Sequence, residues 1–160
     1  MDPAAHDADR SPPAGSPMAV SVLFEAGAEI GEARDIARDF LRSVRAERGV
    51  AVSAQATGLV QLVVSELVTN ARKYAPGACL LDLVFRDGAV QVGVWDSSTT
   101  LPTVRGRDPH RVGQHGLELV RAVCRTFRAH REGAGKRITA LVQIADDPGT
   151  ADPASSRQGP

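Results

Sequence analysis

Cysteine is scarce: the 160-residue chain has two, Cys79 and Cys124. They form no CxxC pair, and each sits among apolar neighbours. They are expected to be reduced, buried thiols rather than a disulfide or a metal site. The four histidines (His6, His110, His115 and His130) are scattered, so no zinc-ligand spacing appears. Net charge is also lacking, with 19 Lys plus Arg against 19 Asp plus Glu. That balance argues against a general nucleic-acid binder, which needs a basic surplus to neutralise phosphates. No apolar run approaches the roughly 18 residues that a membrane span requires. The N-terminus has no hydrophobic segment after its charges, so no secretion signal is read there and the cytoplasm is the expected compartment.

Hydrophobic residues make up 42% and charged residues 24%, the range of ordinary globular domains, and the length suits one core. Both ends are poor in large apolar side chains. Residues 1–17 and 146–160 are rich in Pro, Ala, Ser and Asp and are expected to be disordered tails. The domain is therefore expected over 18–145.

Within it, a β-branched run over 18–25 predicts a strand that Gly27 breaks. Helical spacing follows over 29–48, with Ala33, Ile36, Ala37, Phe40 and Val44 on one face and Gly49 placed as a C-cap. Ser53 is a plausible N-cap for a second helix that runs to Tyr74 and ends at Pro76-Gly77. Two apolar runs, 79–86 and 89–95, flank Asp87-Gly88, a strong hairpin signal. Residues 97–115 read as a long loop, a helix restarts at Gly116, and a hairpin of 126–131 with 137–144 closes the chain. The order β-α-α-β-β-loop-α-β-β predicts a two-layer α/β sandwich. Its sheet is expected to be mixed and mostly antiparallel, covered on one face by helices.

On the second helix, Val60, Val63, Val64, Leu67, Ala71 and Tyr74 form the expected buried stripe. Glu66, Asn70 and Lys73 lie along its border, since i, i+4 and i+7 share a face. A carboxamide oxygen there suits Mg²⁺, a hard cation that favours oxygen ligands and phosphate partners. A carboxylate one turn away suits orienting or deprotonating a nucleophile. Such border positions are also commonly just polar. Asp96 ends an apolar strand, where a carboxylate can accept from an adenine amino group or simply serve a turn. Gly113-Gln114-His115-Gly116-Leu117 leads into a helix, where glycines let backbone N–H groups approach phosphates. Arg34, Arg38, Arg42, Arg45 and Arg48 share a face of the first helix. They read as a solvated row partly paired with Asp35 and Asp39, or as a ridge for an acidic partner.

Taken together, SELVTNARKYA (65–75), VWDSS (94–98), GQHGLELV (113–120) and GKRITALVQI (135–144) resemble the GHKL-type, histidine-kinase-like ATPase domain. The compact length, ELVTNA and LPTVR are most similar to the anti-sigma-factor serine/threonine kinases of that superfamily. The resemblance implies a Bergerat-type ATP-binding fold with ATP and Mg²⁺ as ligands. It implies Asn70 as the Mg²⁺ ligand, Glu66 as the catalytic base and Asp96 as the adenine contact. Gly113, His115, Gly116 and Leu117 would belong to an ATP lid, and Lys73 and Thr139 would assist on the nucleotide side. The implied partners are a sigma factor and an anti-sigma-factor antagonist, with a homodimer as the implied assembly and no direct nucleic acid or membrane contact. The chain departs from the family pattern at four places. Ser97 and Ser98 follow Asp96 where a glycine is usual, Gln114-His115 replace Gly-Arg in the lid, Arg137 stands for a small hydroxyl residue, and Tyr74 stands for a frequent histidine. These departures motivate an alternative, a non-catalytic nucleotide-gated protein-binding module with the same fold.

Overall fold

The computed structural model describes residues 16–75, 77–98 and 114–145, leaving aside the side chains of 114–116. Of the expected tails 1–17 and 146–160, residues 1–15 and 146–160 lie outside the described residues, as do loop residues 99–113. Eight elements follow one another: β1 (Met18–Phe24), α1 (Ile30–Arg48), α2 (Ala54–Tyr74), β2 (Cys79–Arg86), β3 (Ala89–Asp96), α3 (Gln114–Val123), β4 (Thr126–Glu132) and β5 (Gly135–Gln143).

Local chemistry sets the boundaries. Gly49 ends α1 in the left-handed region at φ 65°, with its N–H donating to the Arg45 carbonyl at 3.1 Å. The Ser53 hydroxyl accepts from the Ala56 N–H at 3.0 Å and starts α2 as an N-cap. Asp87 and Gly88 both take positive φ, 53° and 78°, as a tight turn between β2 and β3 demands. The closing hairpin is tighter than the sequence suggests. Gly135 and Lys136 pair with Glu132 and Arg131, so the strand begins two residues before Arg137.

The strands form one sheet in the order β1-β2-β3-β5-β4, and every neighbouring pair is antiparallel. The parallel component that a mixed sheet would need is absent among the described residues. The reason is connectivity: β2–β3 and β4–β5 are hairpins, while β1 reaches β2 through α1 and α2 and β3 reaches β5 through α3 and β4, two intervening elements each, so the chain returns in the opposite direction. Strand alternation directs Leu81, Leu83, Val90, Val92, Val94, Ile138, Ala140 and Val142 toward the helices. Against them α2 buries Val60, Val63, Val64, Leu67, Val68 and Ala71, and α1 adds Ala33, Ala37, Phe40, Leu41 and Val44. Each fully buried Val, Leu or Ile contributes about 1.5–3 kcal/mol, so this layer is what holds α2 on the sheet.

Tyr74 differs from its expected place in the buried stripe: it is 40% exposed. It is the last residue of α2, past the end of the apolar layer, and its ring faces two lysines instead of the core. Cys79 is buried, whereas Cys124 is only half-buried; both are free thiols. Arg34, Arg38, Arg42 and Arg45 are exposed and Arg48 is half-buried, with Arg38 pairing to Asp35 at 3.3 Å and Arg42 to Asp39 at 3.9 Å.

Candidate functional site

Helix α2 carries Glu66 and Asn70 one turn apart, about 6 Å along the axis. Glu66 is half-buried, Asn70 is 7% exposed, and Lys73 is exposed. The Asn70 Nδ2 has no hydrogen-bond partner among the described residues. A buried donor left unpaired costs about 1–3 kcal/mol, which a fold retains where an acceptor arrives from outside. Phosphate oxygens are such acceptors. Asn70 Oδ1 is meanwhile a neutral oxygen suited to Mg²⁺, which is commonly held by one or two protein oxygens plus phosphates and water. No group of three or more His, Cys, Asp or Glu residues able to cage a metal exists among the described residues. Asn70 Oδ1 together with phosphate oxygens is a donor set that fits a Mg²⁺ carried by a nucleotide.

The second half of the site is the end of the β3–β5 ladder. The inward row Val90–Val142, Val92–Ala140 and Val94–Ile138 continues to Asp96 directly opposite Lys136. An apolar layer thus terminates in an ion pair: Asp96 is 1% and Lys136 0% exposed, with Nζ 3.7 Å from Oδ2. Asp96 Oδ1 accepts the Ser98 N–H at 2.8 Å. Lys136 Nζ lies 4.9 Å from the Tyr74 ring centroid, which ties the end of α2 to this end of the sheet. Lys73 reaches the same ring at 5.5 Å.

Burial raises the Asp96 pKa from its ordinary value, while the Ser98 N–H and Lys136 oppose the rise. Burial likewise lowers that of Lys136, opposed by Asp96. Desolvation outweighs attraction in both, so the pair sits in a dry setting that favours neither charge. Gly135 makes this geometry reachable. A Cβ there would lie 2.7 Å from the Trp95 ring and 2.9 Å from the Asp96 carbonyl carbon, and closer still to the carbonyl oxygen. Only glycine lets β5 approach so closely.

Of the residues singled out in the sequence, Glu66 and Asn70 lie on α2, and Asp96 lies at the sheet end reached by its last residue. Leu117 is 7% exposed and buried in the core, so its side chain anchors α3. His115 and Gly116 lie in α3 with side chains outside the described residues, and Gly113 lies outside them altogether. Thr139 is on the wrong face for the nucleotide side. It pairs with Gly93 and Arg128, and the strand's two-residue alternation turns it away from the helices. There its methyl group, the Arg137 guanidinium and the Asp82 Cβ surround Gly93, at ordinary contact distance from where a Cβ would sit. Arg137 bridges Asp82 and Glu132 on that same outer face. Lys136 is the site residue that the motif comparison passes over. Its signal was present, since a lysine two positions before Ile138 must share the inward face of Ile138, Ala140 and Val142.

A family profile described as "Histidine kinase-like ATPase domain" matches residues 28–142. No curated protein sequence matches the chain. Among solved structures, that of the RsbU and RsbW domains of Rv1364c from Mycobacterium tuberculosis superposes with a TM-score of 0.58 at 16% identity. The match covers 81% of this chain and 33% of that one, so the chain spans about a third of that protein's length. At that identity the likeness is one of fold, and it agrees with the antiparallel sheet and its helical layer. No helix among the described residues is long and apolar enough to cross a membrane. The profile match over most of its length, on a fold that brings Asn70 and Asp96 to one end of the helix–sheet layer, establishes that this chain belongs to the histidine kinase-like ATPase domain family.

Proposed function

We propose that this chain is an ATP-binding anti-sigma regulatory protein of the cytoplasm. In this reading it phosphorylates a serine or threonine of an anti-sigma-factor antagonist and sequesters a sigma factor, acting as a homodimer. Family membership supports nucleotide binding. The observation that carries the reading is Asn70, buried with an unpaired donor one turn beyond Glu66. The resemblance of the ELVTNA segment to anti-sigma-factor serine/threonine kinases supports the partners.

Asp96 accepts from the adenine amino group, and the Asn70 carboxamide holds the phosphate end. The Asn70 carboxamide oxygen would hold Mg²⁺, which would supply charge neutralisation on the triphosphate. Glu66 takes the proton of the partner's hydroxyl. That oxygen then bonds to the γ-phosphorus as the bond to the bridging oxygen breaks and ADP leaves. The backbone at Gly113 and Gly116 closes over the phosphates, with His115 adding a titratable donor and Lys73 a nearby positive charge. Leu117 fixes the lid's helix to the core. Phosphoryl transfer depends mainly on positioning and charge, so this small set is sufficient.

The test is transfer of phosphate from Mg-ATP to a candidate antagonist, with Glu66→Ala beside the wild type. The expected result is labelling of a serine or threonine by wild type, and none by Glu66→Ala at unchanged ATP affinity. Unaltered labelling by the variant would remove Glu66 from the chemistry. Tight ATP binding with no labelling of any antagonist would leave the non-catalytic, nucleotide-gated module.

A further inference from the structure

The two edges of the sheet differ in the chemistry that guards them. β4 carries Arg128, His130, Arg131 and Glu132, all exposed, the kind of charged side chains by which edge strands discourage pairing. β1, at the other edge, runs MAVSVLF over Met18–Phe24, with no charge, proline or glycine. Its outer side has no strand partner among the described residues, so a row of backbone N–H and C=O groups faces outward.

The helix-facing side of β1 is incomplete as well. Phe24 is buried, but Met18, Val20 and Val22 are only half-buried. Helix α1 leans on α2 and barely touches β1. A groove of about 590 Å³ is left between them, lined by Met18, Val20, Val22, Ile36 and Phe40. On the other face of the strand Leu23 is 59% exposed. Charge is graded along the same edge. Glu25, Glu29 and Glu32 stand at its Phe24 end, where α1 begins. Arg45 and Arg48, opposed by Glu47, stand at its Met18 end, where α1 finishes.

We propose that β1 pairs antiparallel with β1 of a second copy of this chain, about a two-fold axis at Ser21, the middle of the strand. The proposal rests on the homodimer reading and names its surface. Pairing satisfies the outward backbone groups of both strands and joins the two five-stranded sheets into one. Neighbouring strands lie about 4.8 Å apart, so the two α1 helices come side by side over the seam. There Ile36 and Phe40 of both copies cover the half-buried rows of both strands. The antiparallel arrangement also sets the acidic end of each copy beside the basic end of the other. That self-complementary gradient selects a second copy over an unrelated strand.

In this register Ala19 stands opposite Leu23 of the partner subunit, once on each side of the axis. Both positions are exposed on the face away from the helices. The experiment is sedimentation velocity over a dilution series of the full chain, with circular dichroism to establish folding. Wild type is run beside Ala19→Lys/Leu23→Lys, which sets lysine against lysine twice, and Ala19→Lys/Leu23→Glu, which sets lysine against glutamate twice. Wild type is expected to be a dimer, and the lysine–lysine variant to dissociate at least about tenfold more readily than the lysine–glutamate variant. Equal dissociation of the two folded variants beside a dimeric wild type overturns the β1 surface and leaves the homodimer reading standing. A wild type that is monomeric at about 100 μM overturns both, and leaves this edge to the chain's own first residues or to a strand of another protein.

Discussion

The Asp96–Lys136 pair makes a double-mutant cycle informative. Asp96 and Lys136 are 1% and 0% exposed, so removing one leaves the other as an uncompensated buried charge. Lys136→Met or Asp96→Asn alone is expected to cost about 3–5 kcal/mol, the usual cost of breaking a buried pair. The double variant Asp96→Asn/Lys136→Met carries neither charge. It is expected to lie within roughly 2 kcal/mol of wild type, a coupling of several kcal/mol in the pair's favour. The pH dependence has a definite sign. The folded-state pKa of Asp96 is raised, so its contribution is fullest below the ordinary carboxylate range and is lost as pH rises through the folded value. That of Lys136 is lowered, so its contribution is fullest above the ordinary lysine range and is lost as pH falls through the folded value. Between those limits both are charged and the fold bears the desolvation. Lys136→Met removes one opponent of the Asp96 rise, so acidification from neutral pH toward the carboxylate range should restore part of its lost stability relative to wild type. Urea titrations of the four proteins at neutral and mildly acidic pH measure all of this. Single variants within 1 kcal/mol of wild type, or a double variant that loses the sum of both, would refute the reasoning; ~1 kcal/mol is where exposed pairs fall.

Other perturbations separate the site from its scaffold. Gly135→Ala puts a methyl group into the Asp96 carbonyl and the Trp95 ring, and should destabilise by on the order of 3 kcal/mol or more in denaturant titration. Arg137→Met removes the bridge from β5 to Asp82 and Glu132 on the outer face. It should cost about 1 kcal/mol, less at high salt, and leave ATP affinity unchanged in calorimetry. Burial raises the Cys79 thiol's pKa and pushes that of Cys124 up to about 11. Thiol titration with a disulfide reagent at mildly alkaline pH should therefore be slow in the native protein and complete after unfolding.

Much of this fold was legible in the chain because local chemistry and long-range packing agree. Asp87-Gly88 takes the left-handed turn its residues favour, Gly49 caps α1, and Ser53 caps α2 through its hydroxyl. Asn70 and Asp96 were legible because each is a polar residue at the edge of an apolar period. What escaped was the facing of β5. Starting the strand at Arg137 directs attention to residues 137 and 139, which share the outer face, whereas 136 and 138 point to the helices. Tyr74 was misplaced for a related reason. Helical periodicity continues to the last turn, but the sheet beneath it has by then changed from Val94 and Ile138 to an ion pair.

Nucleotide affinity measured by calorimetry with Mg-ATP, wild type beside Asn70→Ala, tests the central claim most directly. Wild type should bind Mg-ATP with a Kd below about 1 mM. Asn70→Ala should remain folded, since it removes a buried donor that has no partner, and should bind at least about tenfold more weakly. Wild type that shows no binding at millimolar Mg-ATP, or a folded Asn70→Ala that binds as tightly as wild type, would contradict it.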